Sequence, residues 1–249
     1  MKKYAALAFV ALPMLASTAP ASGAVVTFSD SVFNQSDYSE TVFQNGTATI
    51  TPGQTATNGN PGAAHEVTFV IPSGSSYYGT TLAINNAWIY DPAVHGAALA
   101  ITYSEDVFLS VSGIPVTSRG TDVLLFQGGN YFVHSDSTPA VNNVYQTGGA
   151  INLLASTFSL LSDPAQGTLN SGVHPDFSQL FTLGVQSSFV ISGSHGPVDA
   201  TVRIDNLSVQ VLPTPAPVPL PAGAWLLVSA LAGLGTLRRR LFSTSASRR

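Results

Sequence analysis

The sequence predicts an all-β fold: an antiparallel, jelly-roll-like β-sandwich between an N-terminal signal peptide and a C-terminal transmembrane helix. Three observations carry the sandwich. Short runs with apolar residues at every second position follow one another from residue 47 to residue 212. Clusters of Gly, Pro, Asn and Asp separate them, as turns require. No helix-period segment lies between successive strands, so βαβ units and a parallel sheet are not expected.

The elements follow in order. Thr47–Thr51 alternates and is expected to end at Pro52-Gly53, with Thr57–Gly62 as a loop dense in turn formers. His65–Ile71 places Val67, Phe69 and Ile71 on one face and stops at Pro72. Leu82–Tyr90 is a longer strand closed by Asp91-Pro92, and Ala97–Tyr103 and Val107–Val111 come next. Val123–Gln127, Gly128-Gly129 and Asn130–His134 read as a hairpin with a two-glycine turn. Ile151–Leu161 fits a short helix or a buried strand, and Ser156-Thr157 tilts it to strand. Phe177–Val185, Ser187–Ser192 and Ala200–Leu212 complete the set.

The two ends differ from the body. Lys2 and Lys3 precede an apolar stretch, Tyr4–Leu15, and small residues follow, with cleavage expected after Ala21 or Ala24. This is the pattern of a secretory signal peptide over 1–24, read by the Sec machinery. At the other end Val218–Leu237 holds twenty residues without a charge. At about 1.5 Å per residue these span roughly 30 Å, the thickness of a bilayer's hydrocarbon core. Arg238, Arg239 and Arg240 follow, so the positive-inside rule places this end in the cytoplasm and the body outside. Residues 213–217 open an alternating-proline spacer, 218–240 hold the membrane signal, and 241–249 form a short tail.

Val218, Pro219, Leu220, Pro221 and Ala222, the apolar run and the arginine cluster together resemble the PEP-CTERM sorting signal of Gram-negative bacteria, in its Val-Pro-Leu-Pro-Ala variant. The resemblance covers only about the last thirty residues. It implies that an exosortase, an integral-membrane cysteine peptidase, cuts near the motif and passes the body from the inner membrane to the envelope surface. The chain would then be its substrate. It departs from the common form in lacking the Pro-Glu-Pro glutamate and in its longer tail. Scattered body fragments, among them Asn60-Pro61-Gly62-Ala63, Tyr90-Asp91-Pro92 and Ile204-Asp205-Asn206, resemble uncharacterised exported bacterial proteins of jelly-roll, lectin-like or carbohydrate-binding type. That resemblance implies contact with glycan, such as exopolysaccharide.

Composition narrows the chemistry. The body, 25–212, contains all thirteen acidic residues, two arginines (Arg119 and Arg203) and no lysine, a net charge of −11. Such a surface repels nucleic acid and anionic lipid, so no nucleic-acid partner is expected. Without cysteine there is no thiol catalysis, and a body of this size has core enough without disulfides.

No catalytic residue emerges. His65, His95, His134, His174 and His195 stand far apart without metal-ligand spacing, and no nucleophile elbow or phosphate loop occurs. Glu105 and Asp106 are adjacent and on a strand face opposite ways, a poor pair for glycoside hydrolysis. The expectation is therefore a non-enzymatic body, with a secreted glycan-active hydrolase as the alternative. A structural calcium ion is compatible with the carboxylate excess, with Asp30 or Asp205 as ligand. For sugar, Trp88, Tyr77, Tyr78, Tyr90, Tyr131 and Tyr145 are the stacking candidates. Trp88 sits in an apolar strand and reads as core. Tyr77 and Tyr78 follow Gly74-Ser75-Ser76 in an expected loop and read as the ligand-contacting pair.

Overall fold

A computed structural model describes residues 23–113, 118–134 and 143–215; at residues 118 and 119 it describes backbone only. The strands are β1 (Val26–Asp30), β2 (Tyr38–Asn45), β3 (Thr49–Gly59), β4 (Gly62–Ile71) and β5 (Tyr77–Tyr90). A one-turn helix, α1 (Pro92–His95), precedes β6 (Ala98–Ser112), β7 (Ser118–Gln127), β8 (Asn130–His134) and β9 (Gln146–Leu153). β10 (Phe158–Asp163), β11 (Thr168–Asn170), β12 (Phe181–Ile191) and β13 (Val198–Pro213) follow.

These strands form two antiparallel sheets, as the alternating pattern predicts. One runs β3-β4-β13-β6-β9; β1 also pairs with β13. The register explains how β13 serves both: residues 198–204 face β4, and residues 207–211 face β1, so β4 and β1 lie end to end along one edge of a single long strand. The other edge of β13 pairs with β6. The second sheet runs β11-β10-β8-β7-β12-β5-β2, leaving β2 at its edge.

Alternation fills the space between the sheets. Val67, Phe69 and Ile71 of β4 are buried together, packed with Phe189 and Ile191 of β12. A second cluster joins Tyr90, Phe158, Phe177 and Phe181 to Ile204 and Val209. Trp88 belongs to it and is 6% exposed, beside Phe28. The hairpin also forms where expected: β7 and β8 meet across Gly128 and Gly129, at φ 59° and 84°. A type I′ turn needs positive φ at both central residues, which glycine adopts without strain.

Several boundaries differ from the sequence reading. β3 runs through Pro52-Gly53 instead of stopping there, because it is an edge strand and can tolerate a residue with no N–H to donate. The pairs expected at 97–103 and 107–111, and at 177–185 and 187–192, are the single strands β6 and β12. Ile151–Leu161 is neither one helix nor one strand. β9 ends at Leu153, a 3₁₀ turn covers Ala155–Thr157, and β10 begins at Phe158. Asp91-Pro92 opens α1, whose first turn is capped by the Asp91 carboxylate accepting from Ala93 N–H. β2 and β11 carry too little apolar alternation to stand out in the sequence, and β1, which does alternate, is only five residues long. Tyr77 and Tyr78 are the first residues of β5, not a loop.

Candidate ligand-binding face

The seven-stranded sheet buries apolar side chains on both faces. Ala83, Val123, Leu125 and Phe132 point into the sandwich. Their neighbours Leu82, Ile84, Leu124 and Val133 therefore point the other way, and with Leu161 they form a separate buried cluster. Phe43, Phe126 and Tyr131 pack onto this outer layer. The Tyr131 ring lies 5.0 Å from Phe126 and edge-on at 6.4 Å from Phe43, spacings at which aromatic rings attract.

Above this floor opens a cleft of about 290 Å³, lined by Ser39, Thr41, Ile84, Asn86, Phe126, Tyr131 and Thr182. Five strands contribute: β2, β5, β7, β8 and β12. The Ser39 hydroxyl donates to Asn86 Oδ1 at 2.7 Å, and the Thr41 and Tyr131 hydroxyls stand 3.5 Å apart. The lining combines apolar and aromatic surface with hydroxyl and amide groups, and it contains no charged residue. That is a chemistry for a neutral, hydroxyl-bearing ligand. A second, more open cleft of about 520 Å³ lies between the β2–β3 turn and the ends of β4 and β13, with Gln44, Thr47, Thr49 and Asp199 among its polar groups.

Of the aromatic candidates, Tyr131 is the one in the cleft. Tyr77 is 4% exposed and its hydroxyl donates to Gln44 Oε1 at 3.1 Å. Burial lifts the Tyr77 phenol above its ordinary range, so it stays a donor. Tyr78 is covered by the β10–β11 turn, where a Cβ on Gly167 would overlap its ring. Tyr145 lies against Phe108, and its hydroxyl donates to Asn58 carbonyl. Sequence reasoning missed Ser39, Thr41, Ile84, Asn86, Phe126 and Thr182. The one available signal was the unbroken run Val123-Leu124-Leu125-Phe126, too apolar for a strand with one wet face.

Asp30 and Asp205 are each bonded to donors of the protein itself. Asp30 Oδ1 accepts from Val32 and Phe33 N–H at 2.8 Å, and its Oδ2 accepts from Tyr38 hydroxyl at 2.9 Å. Asp205 is fully buried and accepts the backbone N–H of Asn60 and, at 2.6 Å, that of Asn206. It stands directly opposite Asp106 of β6. Asp106 in turn accepts from the Thr147 hydroxyl at 2.5 Å and the Asn206 amide at 2.8 Å. These oxygens are already matched to N–H and O–H donors, and they tie the β3–β4 turn to β13. Among the described residues no three His, Cys, Asp or Glu side chains gather as a metal-binding group.

Glu105 and Asp106 do face opposite ways. Glu105 reaches into the sandwich and accepts from Thr121 of β7 at 2.6 Å. Beside Thr121, the Asp122 carboxylate lies 3.5 Å from His134. Burial lifts the Asp122 carboxyl to about 6, against the opposing pull of His134 and Tyr103. These acids are in the protein interior, not in a cleft, and neither cleft is lined by two carboxylates.

The sorting motif Val218–Ala222, the arginines Arg238, Arg239 and Arg240, and residues 1–22 of the expected signal peptide lie outside the described residues. Among the described residues no helix is long and apolar enough to cross a membrane.

No family model matches the chain and no curated protein matches it. Solved structures do. The chain is similar to a family 11 carbohydrate-binding module from Clostridium thermocellum in complex with a β-1,3-1,4-mixed-linked tetrasaccharide, at 12% identity and a TM-score of 0.46, over 76% of this chain and 96% of that one. It is also similar to the family 11 module of the cellulosomal cellulase Lic26A-Cel5E of the same organism, at 14% identity and a TM-score of 0.43, over 77% and 96% of the two chains.

Proposed function

We propose that this chain is an exported envelope protein whose β-sandwich binds a neutral polysaccharide without cleaving it. The observation that carries the binding reading is the outer cleft of the seven-stranded sheet. Its floor is apolar, the Tyr131 and Phe126 rings offer a surface for a pyranose face, and Ser39, Thr41, Asn86 and Thr182 offer partners for hydroxyls. A body of net charge −11 disfavours polyanions, which leaves uncharged glycan as the suitable class.

The non-catalytic reading rests on the carboxylates. Retaining glycosidases hold two carboxyl groups about 5–5.5 Å apart across the scissile bond, and inverting ones about 6.5–9.5 Å. The cleft has no carboxylate in its lining. The hydrolase alternative therefore has no pair to act with there.

Export and sorting rest on the two terminal signals. In this proposal the Sec machinery exports the chain, the C-terminal helix holds the precursor in the inner membrane with its body in the periplasm, and an exosortase cuts near Val218–Ala222. The released body then associates with exopolysaccharide at the outer surface or in the matrix.

Affinity electrophoresis of the detergent-solubilised full chain tests the binding reading. Migration should be retarded in gels containing hydroxyethylcellulose or dextran and unchanged with polygalacturonate. Tyr131→Ala should abolish the retardation. Equal migration of wild type in all gels would remove the proposal, and release of reducing sugar would restore the hydrolase.

A further inference from the structure

We infer that Glu40 and His65 form a positioning pair that fixes edge strand β2, and with it the wall of the outer cleft; the inference rests on the binding role proposed for that cleft. Among the described residues β2 pairs with β5 alone, which leaves its other edge without a strand partner there. Edge strands held on one side are the mobile members of a sheet unless side chains secure them. Along β2 the side chains alternate. Ser39 and Thr41 line the cleft, while Tyr38 and Glu40 point into the sandwich.

Both inward residues reach the opposite sheet. Glu40 Oε1 meets His65 Nε2 of β4 at 2.8 Å, with the His65 side chain 2% and the Glu40 side chain 8% exposed. Tyr38 donates to Asp30 of β1. Burial holds the Tyr38 hydroxyl well above the usual phenol range, so that donor is permanent. The Phe33 and Tyr38 rings pack around the His65 imidazole at 6.3 and 6.0 Å. His65 Nδ1 and Glu40 Oε2 are buried with no hydrogen-bond partner among the described residues. The pair is thus held by one contact, and separating it would strand further polar atoms in an apolar setting. Two residues on one strand therefore clamp β2 to the other sheet, and the two residues alternating with them shape the cleft. Moving Glu40 moves Ser39 and Thr41.

Hydrogen–deuterium exchange and gel retardation by hydroxyethylcellulose, both on the detergent-solubilised full chain, test this. In Glu40→Ala the amides of residues 38–45 should exchange about tenfold faster, while β7 and β12 keep wild-type rates. Affinity should fall about tenfold, equivalent to about 1.4 kcal/mol. Glu40→Gln, whose carbonyl oxygen still accepts from Nε2–H, should restore both. Should Glu40→Ala fail to fold, His65→Leu is judged by the same criterion. Unchanged exchange in β2, or acceleration spread equally over both sheets, overturns the positioning role. If wild type is not retarded, the binding reading of the cleft fails, and the exchange result alone decides whether the pair secures β2.

Discussion

Asp122→Asn should make the protein more stable at neutral pH, although it removes a charge beside a histidine. The Asp122 side chain is almost wholly buried, and burial raises its carboxyl from 3.8 to about 6. The folded protein therefore holds this proton more tightly than the unfolded chain does. Stability from this group is full below about pH 4 and is lost as pH rises towards 6, the reverse of a salt-bridged carboxylate. At about 1.4 kcal/mol per pH unit, the shift from 3.8 to about 6 costs about 3 kcal/mol above pH 6. Asparagine is neutral at every pH and its Oδ1 can still accept the Val123 N–H now bonded at 2.9 Å. Relief of about 3 kcal/mol corresponds to a Tm rise of roughly 6–12 °C for a domain of this size. Calorimetry of wild type and variant from pH 4 to 7.5 reads the effect. Their Tm difference should open between pH 4 and 6 and stay constant above. A variant no more stable than wild type at pH 7.5, with a difference flat across the range, would refute the reasoning.

Three further outcomes are expected. Asp205→Ala leaves the Asn60 and Asn206 N–H groups without their acceptor and should cost about 2–3 kcal/mol in urea unfolding, with the loss of order centred on the β3–β4 turn. Gly184→Ala should destabilise by more than about 2 kcal/mol, since its Cβ would overlap the Ala83 carbonyl and lie 2.8 Å from Ile84 Cα, both backbone atoms that cannot step aside. Mass spectrometry of the mature C-terminus should find a chain lacking Arg238–Arg240 in a strain with the exosortase and the full tail in one without it; full-length protein in both would end the sorting proposal.

The sandwich was legible because it depends on local signals. The 67-69-71 alternation and the two glycines after Gln127 each report on their own neighbourhood, and both are where the pattern placed them. The cleft was not legible, for a physical reason. Period two tells which residues share a face but not whether the outer face is wet, so the spacing of Leu82, Ile84 and Leu124 does not mark a second buried layer. The same holds for pairs made by the topology. Nothing in the spacing of Glu40 and His65, or of Asp106 and Asp205, announces that β2 meets β4 across the sandwich or that β6 and β13 are neighbours. Tyr77 and Tyr78 misled because the break marked by Gly74-Ser75-Ser76 stops at Ser76 and β5 begins with the tyrosines themselves.

Of the described strands, the last to be synthesised is also the middle of its sheet. Until Val198–Pro213 has emerged, the β3–β4 and β6–β9 pairs lack the strand that joins them, and Val67, Phe69, Val107 and Leu109 have no finished core to enter. Were the chain exported N-terminus first, as proposed above, this sheet would have nothing complete to fold into until its C-terminal strand followed. Delay of this kind would keep an exported polypeptide threadable, at the expense of exposing sticky half-sheets that a holding chaperone would have to shield.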